Sequence, residues 1–77
     1  MTLDEAKKLT TGTILYEKGA TNVDGSPRRW RVNGKVQTWK RDSFRVRIPV
    51  KYGMYTYGQI YTKDLPDFCL TEEEAKQ

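Results

Sequence analysis

From Phe44 to Lys51 the chain alternates Phe44, Val46, Ile48 and Val50 with Arg45, Arg47, Pro49 and Lys51. A period of two places apolar side chains on one face of a β-strand and basic ones on the other, so this segment belongs to a sheet with one face buried and one cationic. Pro49 brings no N–H to a ladder, which puts its end of the strand at a sheet edge or a bulge. With 77 residues in all, one domain is the limit, and about 60% of the unfolded surface can be buried.

The other segments are equally short. Thr2 and Glu5 have capping-box spacing, and Leu3, Ala6 and Leu9 give a short helical turn one apolar stripe, ending before Gly12. Thr13 to Lys18 reads as a first strand, and Gly19 to Pro27, with Asn22, Asp24-Gly25 and Ser26-Pro27, as an exposed loop. Asn33-Gly34 between Arg28–Val32 and Lys35–Lys40 predicts a two-residue type I′ hairpin. Two registers of that hairpin stay open: one puts Trp30 and Trp39 on a common face, while a one-residue slip turns Trp39 outward among Arg29, Arg31 and Gln37. A further strand is expected from Met54 to Tyr61, with Gly58 at a bulge or sharp bend, then a turn at Leu65-Pro66 and a short strand over Phe68 to Leu70. Thr71 to Gln77 forms an acidic tail, too short to expect a lasting helix.

The expected fold is therefore all-β: one domain over residues 1–77, its core spanning about 9–70, built as a small five-stranded barrel with a short N-terminal helical turn. The order is strand, nine-residue loop, three-strand meander, single turn and last strand, with Gly12-Thr13 opening the first strand. It resembles the small barrels of the Src-homology-3, Tudor and KOW type. The Ala-Leu-Tyr-Asp-Tyr stretch of peptide-binding members is absent, with Tyr16 alone near its place. Short, basic, cysteine-poor barrels of this kind are also similar to many small bacterial or bacteriophage proteins.

Nine of the fourteen Lys and Arg residues fall between Arg28 and Lys51, a window holding one acid, Asp42, and both tryptophans. The rest of the chain is net acidic. Arg29, Arg31, Arg45 and Arg47 lie opposite the apolar faces of their strands in either hairpin register, and Lys51 extends the row. Outward cations also serve solubility and guard sheet edges, but arginine outnumbers lysine six to three in the window, and guanidinium suits bidentate phosphate contact and stacking. The expected function is non-catalytic binding of nucleic acid, DNA or RNA, with low sequence specificity: Arg29, Arg31, Arg45, Arg47 and Lys51 on phosphates, and Trp39 or the Tyr55/Tyr57 pair on unpaired bases. The alternative is a protein-interaction module, an accessory or host-directed regulator, using the row of Tyr55, Tyr57 and Tyr61 that alternates along the Met54–Tyr61 strand and the 19–27 loop against an acidic partner.

Other chemistry finds little support. Without histidine there is no His-based triad, no His metal site and no switch at neutral pH. One cysteine, Cys69, makes neither an internal disulfide nor a zinc site. The acids from Asp64 to Glu74 lack calcium-loop spacing. Gly53 to Gly58 has phosphate-loop glycine spacing, but Gln59-Ile60 stands where Lys-Ser/Thr is required. The Lys51–Tyr55 stretch departs from the aromatic RNA-recognition signature. The expectations are no enzyme activity, cofactor or metal, a cytoplasmic monomer or weak dimer, and no membrane association, since neither a signal-peptide core nor a spanning stretch is present.

Overall fold

The computed structural model describes residues 1–42 and 44–76, the side chain of Ala20 excepted; Ser43 and Gln77, the end of the expected acidic tail, lie outside the described residues. Helix α1 (Leu3–Lys7) precedes strands β1 (Ile14–Thr21), β2 (Pro27–Val32), β3 (Gln37–Thr38), β4 (Val46–Tyr52) and β5 (Thr56–Tyr61), a 3-10 turn (Thr62–Asp67), strand β6 (Phe68–Cys69) and helix α2 (Glu72–Lys76). Every strand pairing is antiparallel. The sheet runs β3-β4-β2-β1-β6, and β5 pairs with β4. It is a curled half-barrel of six strands, not the expected five, with the 3-10 turn carrying the chain from β5 to β6.

Alternation in β4 delivers the core. Val46, Ile48 and Val50 are buried, together with Leu15 of β1, Val32 of β2 and Ile60 of β5. Ala6 of α1, Leu65 of the 3-10 turn and Phe68 complete the cluster. On β1 the buried residue is Leu15, so Ile14 and Tyr16 belong to the opposite face. The capping box of α1 is present, with Glu5 N–H donating to Thr2 Oγ1 and Thr2 N–H to Glu5 Oε1.

The Asn33-Gly34 hairpin does not form. β2 pairs directly with β4 (Arg31 with Lys51, Val32 with Val50), and β3 pairs with the other end of the same edge of β4 (Gln37 with Arg47, Thr38 with Val46). Four residues, 33–36, lie opposite two, Ile48 and Pro49, so the segment is a bulged continuation of β2. Pro49 is the cause. Its backbone faces this edge, its carbonyl accepts from Asn33 N–H at 2.8 Å, and its missing N–H leaves the Asn33 carbonyl without the return bond of the ladder. A Cβ on Gly34 would stand 3.1 Å from Pro49 Cγ, so glycine serves here for close approach and not for a left-handed turn.

Four further expectations change. Phe44 lies outside β4 and is 74% exposed. The strand stops short of it because the Thr62 hydroxyl accepts from Val46 N–H at 2.9 Å and donates to the Phe44 carbonyl at 3.0 Å, taking the place of a strand partner. The β4–β5 register is unbroken from Arg47–Tyr61 to Tyr52–Thr56, with no bulge at Gly58; a Cβ there would touch the Trp30 ring at 3.4 Å. β1 extends to Thr21 through a bulge that includes Gly19 (φ 76°), which shortens the expected loop to a turn at 22–26 closed by Asn22 N–H to Ser26 O (2.8 Å) and Gly25 N–H to Asn22 O (2.9 Å). The C-terminal segment is helical over Glu72–Lys76: Thr71 Oγ1 accepts from Glu74 N–H at 3.3 Å, and the helix packs on β1, β2 and β6 with Ala75 buried, so tertiary packing offsets the cost of so short a helix.

Candidate functional site

Alternation away from the core builds one outer face. On it, cross-strand register sets Ile14, Arg31, Lys51 and Tyr57 in a row across β1, β2, β4 and β5. Gln37, Arg47 and Tyr61 form a second row across β3, β4 and β5, and Tyr16 faces Arg29 on the β1–β2 pair. The structure thus brings Arg29, Arg31, Arg47, Lys51 and Tyr57 onto one surface. A groove of about 400 Å³ lies among Ile14, Arg29, Arg31, Lys51, Gly53 and Met54.

Arg31 and Lys51 stand directly opposite each other. The failed hairpin is what makes them neighbours, since a β2–β3–β4 meander would have inserted a strand between them. Like charges in this position are destabilising. Among the described residues no carboxylate lies within 4.0 Å of Arg29, Arg31, Arg45, Arg47 or Lys51. The acidic C-terminal segment does not neutralise them; Glu72 pairs instead with Lys76 at 3.8 Å.

Aromatic rings accompany these cations. Lys51 Nζ lies 5.3 Å from the centre of the Tyr57 ring, and Arg45 Cζ lies 4.3 Å over Trp39. Trp39 is half-buried at the far end of the face, its ring covered by Arg45, and the two residues flank the Thr38–Val46 pair. Tyr61 donates its hydroxyl to Gln59 Oε1 (2.9 Å), which steadies the ring beside Arg47. Tyr55 belongs to the β4–β5 turn, not to the strand, and is 87% exposed.

The inner face has its own polar end. Trp30 packs on the core, meets Tyr52 at 5.4 Å and donates its indole N–H to Glu17 Oε1 at 2.8 Å. Arg28 lies 5.3 Å from the Tyr52 ring and 4.0 Å from Glu17. Arg28 is therefore separate from the outer row although it adjoins Arg29 in sequence. Tyr52 also donates its hydroxyl to Asn22 Oδ1 (3.1 Å), pinning the 22–26 turn to the end of β4. In that turn the Ser26 hydroxyl, and next its N–H, hold the Asp24 carboxyl below the usual range, with a small contribution from Arg29.

Tyr61 joins the face as the tyrosine alternation along β5 implies, whereas Tyr16 is a member that sequence reasoning missed. The signal for Tyr16 is the period-two spacing Ile14–Tyr16, which becomes informative only once Arg29 is known to lie opposite it. No helix among the described residues is long and apolar enough to cross a membrane. No protein-family model, curated protein or solved structure matches this chain.

Proposed function

We propose that this protein is a non-catalytic β-domain that binds nucleic acid through backbone phosphates, with little sequence preference. The observation that carries the proposal is the Arg31–Lys51 pair: two cations placed face to face, with Arg29 two residues along β2, Arg47 four residues along β4, and no carboxylate within 4.0 Å of any of them among the described residues. Solubility is served as well by dispersed charge, whereas juxtaposed cations favour a bound polyanion. Phosphates would be held by Arg29, Arg31, Arg47 and Lys51, with Arg45 at the end of the row. The fold is assigned to the small barrels of the Src-homology-3, Tudor and KOW type, supported by β6 returning to pair with β1 after the 3-10 turn. The protein would act in the cytoplasm as a monomer or weak dimer.

The direct test is titration of labelled DNA and RNA, single- and double-stranded, at 50 and 200 mM salt. Five phosphate contacts give a log–log salt slope of about −3.5 for single strands and about −4.5 for duplex. Absence of binding in the micromolar range at the lower salt would end the proposal. A second reading, a protein-interaction module, is favoured by one observation: Val23, Met54 and Tyr55 are highly exposed on the 22–26 and 53–55 turns, and the Tyr52–Asn22 hydrogen bond holds these turns together. It predicts a stoichiometric protein partner lost with Tyr55→Ala and retained in high salt.

A further inference from the structure

We infer that the nucleic acid this face takes is single-stranded, with its phosphates along the β2–β4 cations and its bases over the β5 tyrosines. The inference rests on the proposed function and narrows it. In both rows the order is the same: a cation on β4, then a tyrosine on β5. Lys51 pairs with Tyr57, and Arg47 with Tyr61. Each row thus offers one phosphate contact and one stacking ring side by side, the combination that grips a strand with unpaired bases.

Duplex makes poor use of this arrangement. Its base faces are hidden in the stack, so Tyr57 (63% exposed) and Tyr61 (41% exposed) would gain no stacking from it. The cations sit on the outward side of a curled sheet. Duplex, with a persistence length of about 150 base pairs, meets such a surface along a tangent, whereas a flexible strand follows it. Among the described residues the two helices have five residues each and pack on the core or on β1 and β6, leaving neither free to enter a major groove.

Spacing sets the length of the contact. Arg47 and Lys51 are four residues apart on β4, about 13 Å at the usual rise of a strand. That spans about four nucleotides at the duplex spacing of 3.4 Å per phosphate on one strand, and fewer when the strand is extended. The site falls at the short end of those found on small barrels.

The test uses fluorescence anisotropy with dT4, dT8 and dT12 and with a 12-base-pair hairpin duplex, on the full chain and on Tyr57→Ala, Tyr61→Ala, Tyr57→Phe and Arg31→Ala, each first checked for folding by circular dichroism. Single strands are expected to bind at least tenfold tighter than duplex, with affinity rising from dT4 and levelling by dT8. Each tyrosine-to-alanine change should weaken single-strand binding roughly fivefold or more and leave duplex binding unchanged, while Tyr57→Phe restores it; Arg31→Ala should weaken both. Duplex bound as tightly as single strand, or tyrosine variants indistinguishable from the parent, would overturn the inference and leave phosphate binding standing. No binding of any probe at 50 mM salt would overturn the proposed function itself.

Discussion

Replacing Arg31 with glutamate should make the protein more stable while impairing its proposed function. Arg31 is exposed and lies directly opposite Lys51, with Arg29 two residues away on the same face of β2. A directly opposed like-charge pair costs, and an opposite-charge pair returns, roughly 0.2–1 kcal/mol each, so exchanging one for the other is worth about 1 kcal/mol. Lys51 keeps its position over Tyr57, so no aromatic contact is lost. For a domain of this size, about 1 kcal/mol corresponds to a rise in Tm of about 4–8 °C. Thermal denaturation at low salt measures it, with Arg31→Ala, which removes only the repulsion, falling between parent and Arg31→Glu. At 1 M salt, where the Debye length is about 3 Å, the gain should shrink. A Tm that is unchanged or lower at low salt, or a gain indifferent to salt, would refute the claim that the pair is held against its own repulsion.

Three other outcomes follow from the fold. Gly34→Ala should destabilise the parent but cost less in a Pro49→Ala background, because the clash is with the proline ring 3.1 Å away; equal costs in the two backgrounds, read by urea denaturation, would argue against the bulge. Leu15→Ala, at a fully buried position, should cost about 2–5 kcal/mol, much of the total of about 4–12 kcal/mol expected for 77 residues; a change in Tm of only a degree or two would misplace Leu15. Asp24, whose folded titration lies below its ordinary value because of Ser26, contributes stability that is present above that ordinary value and lost as pH falls through the lowered one. Ser26→Ala should move the Asp24 titration upward by NMR, and an unmoved curve would rule out the hydrogen bond as its cause.

The legible parts of this fold were those decided locally. The alternation around Val46, Ile48 and Val50 sets both the buried face and the cationic one, and the Thr2–Glu5 box caps a helix through atoms three residues apart. What sequence did not reveal depends on partners distant in the chain. Asn33-Gly34 carries the chemistry of a tight turn, but its fate is decided by Pro49, whose missing N–H is felt only once β2 lies beside β4. Phe44 continues the alternation, yet Thr62 ends the strand before it. The Thr71–Glu74 capping spacing was visible in the acidic tail and its bond forms, but the packing that lets so short a helix last, with Ala75 buried, was not. For the site, strand faces were readable and neighbours were not: Arg29, Arg31, Arg47 and Lys51 alternate with the buried positions of β2 and β4, Arg45 falls before β4 and not on it as expected, and the direct opposition of Arg31 to Lys51, and of Arg47 to Tyr61, required the pairing of strands.

The most direct measurement is amide chemical-shift mapping of the ¹⁵N-labelled protein titrated with dT8 at 50 mM salt. A nucleic-acid-binding outer face requires the largest shifts at Arg29, Arg31, Arg47, Lys51, Tyr57 and Tyr61, reversed by added salt. Shifts confined to the 22–26 and 53–55 turns, or none at all at saturating oligonucleotide, would contradict it.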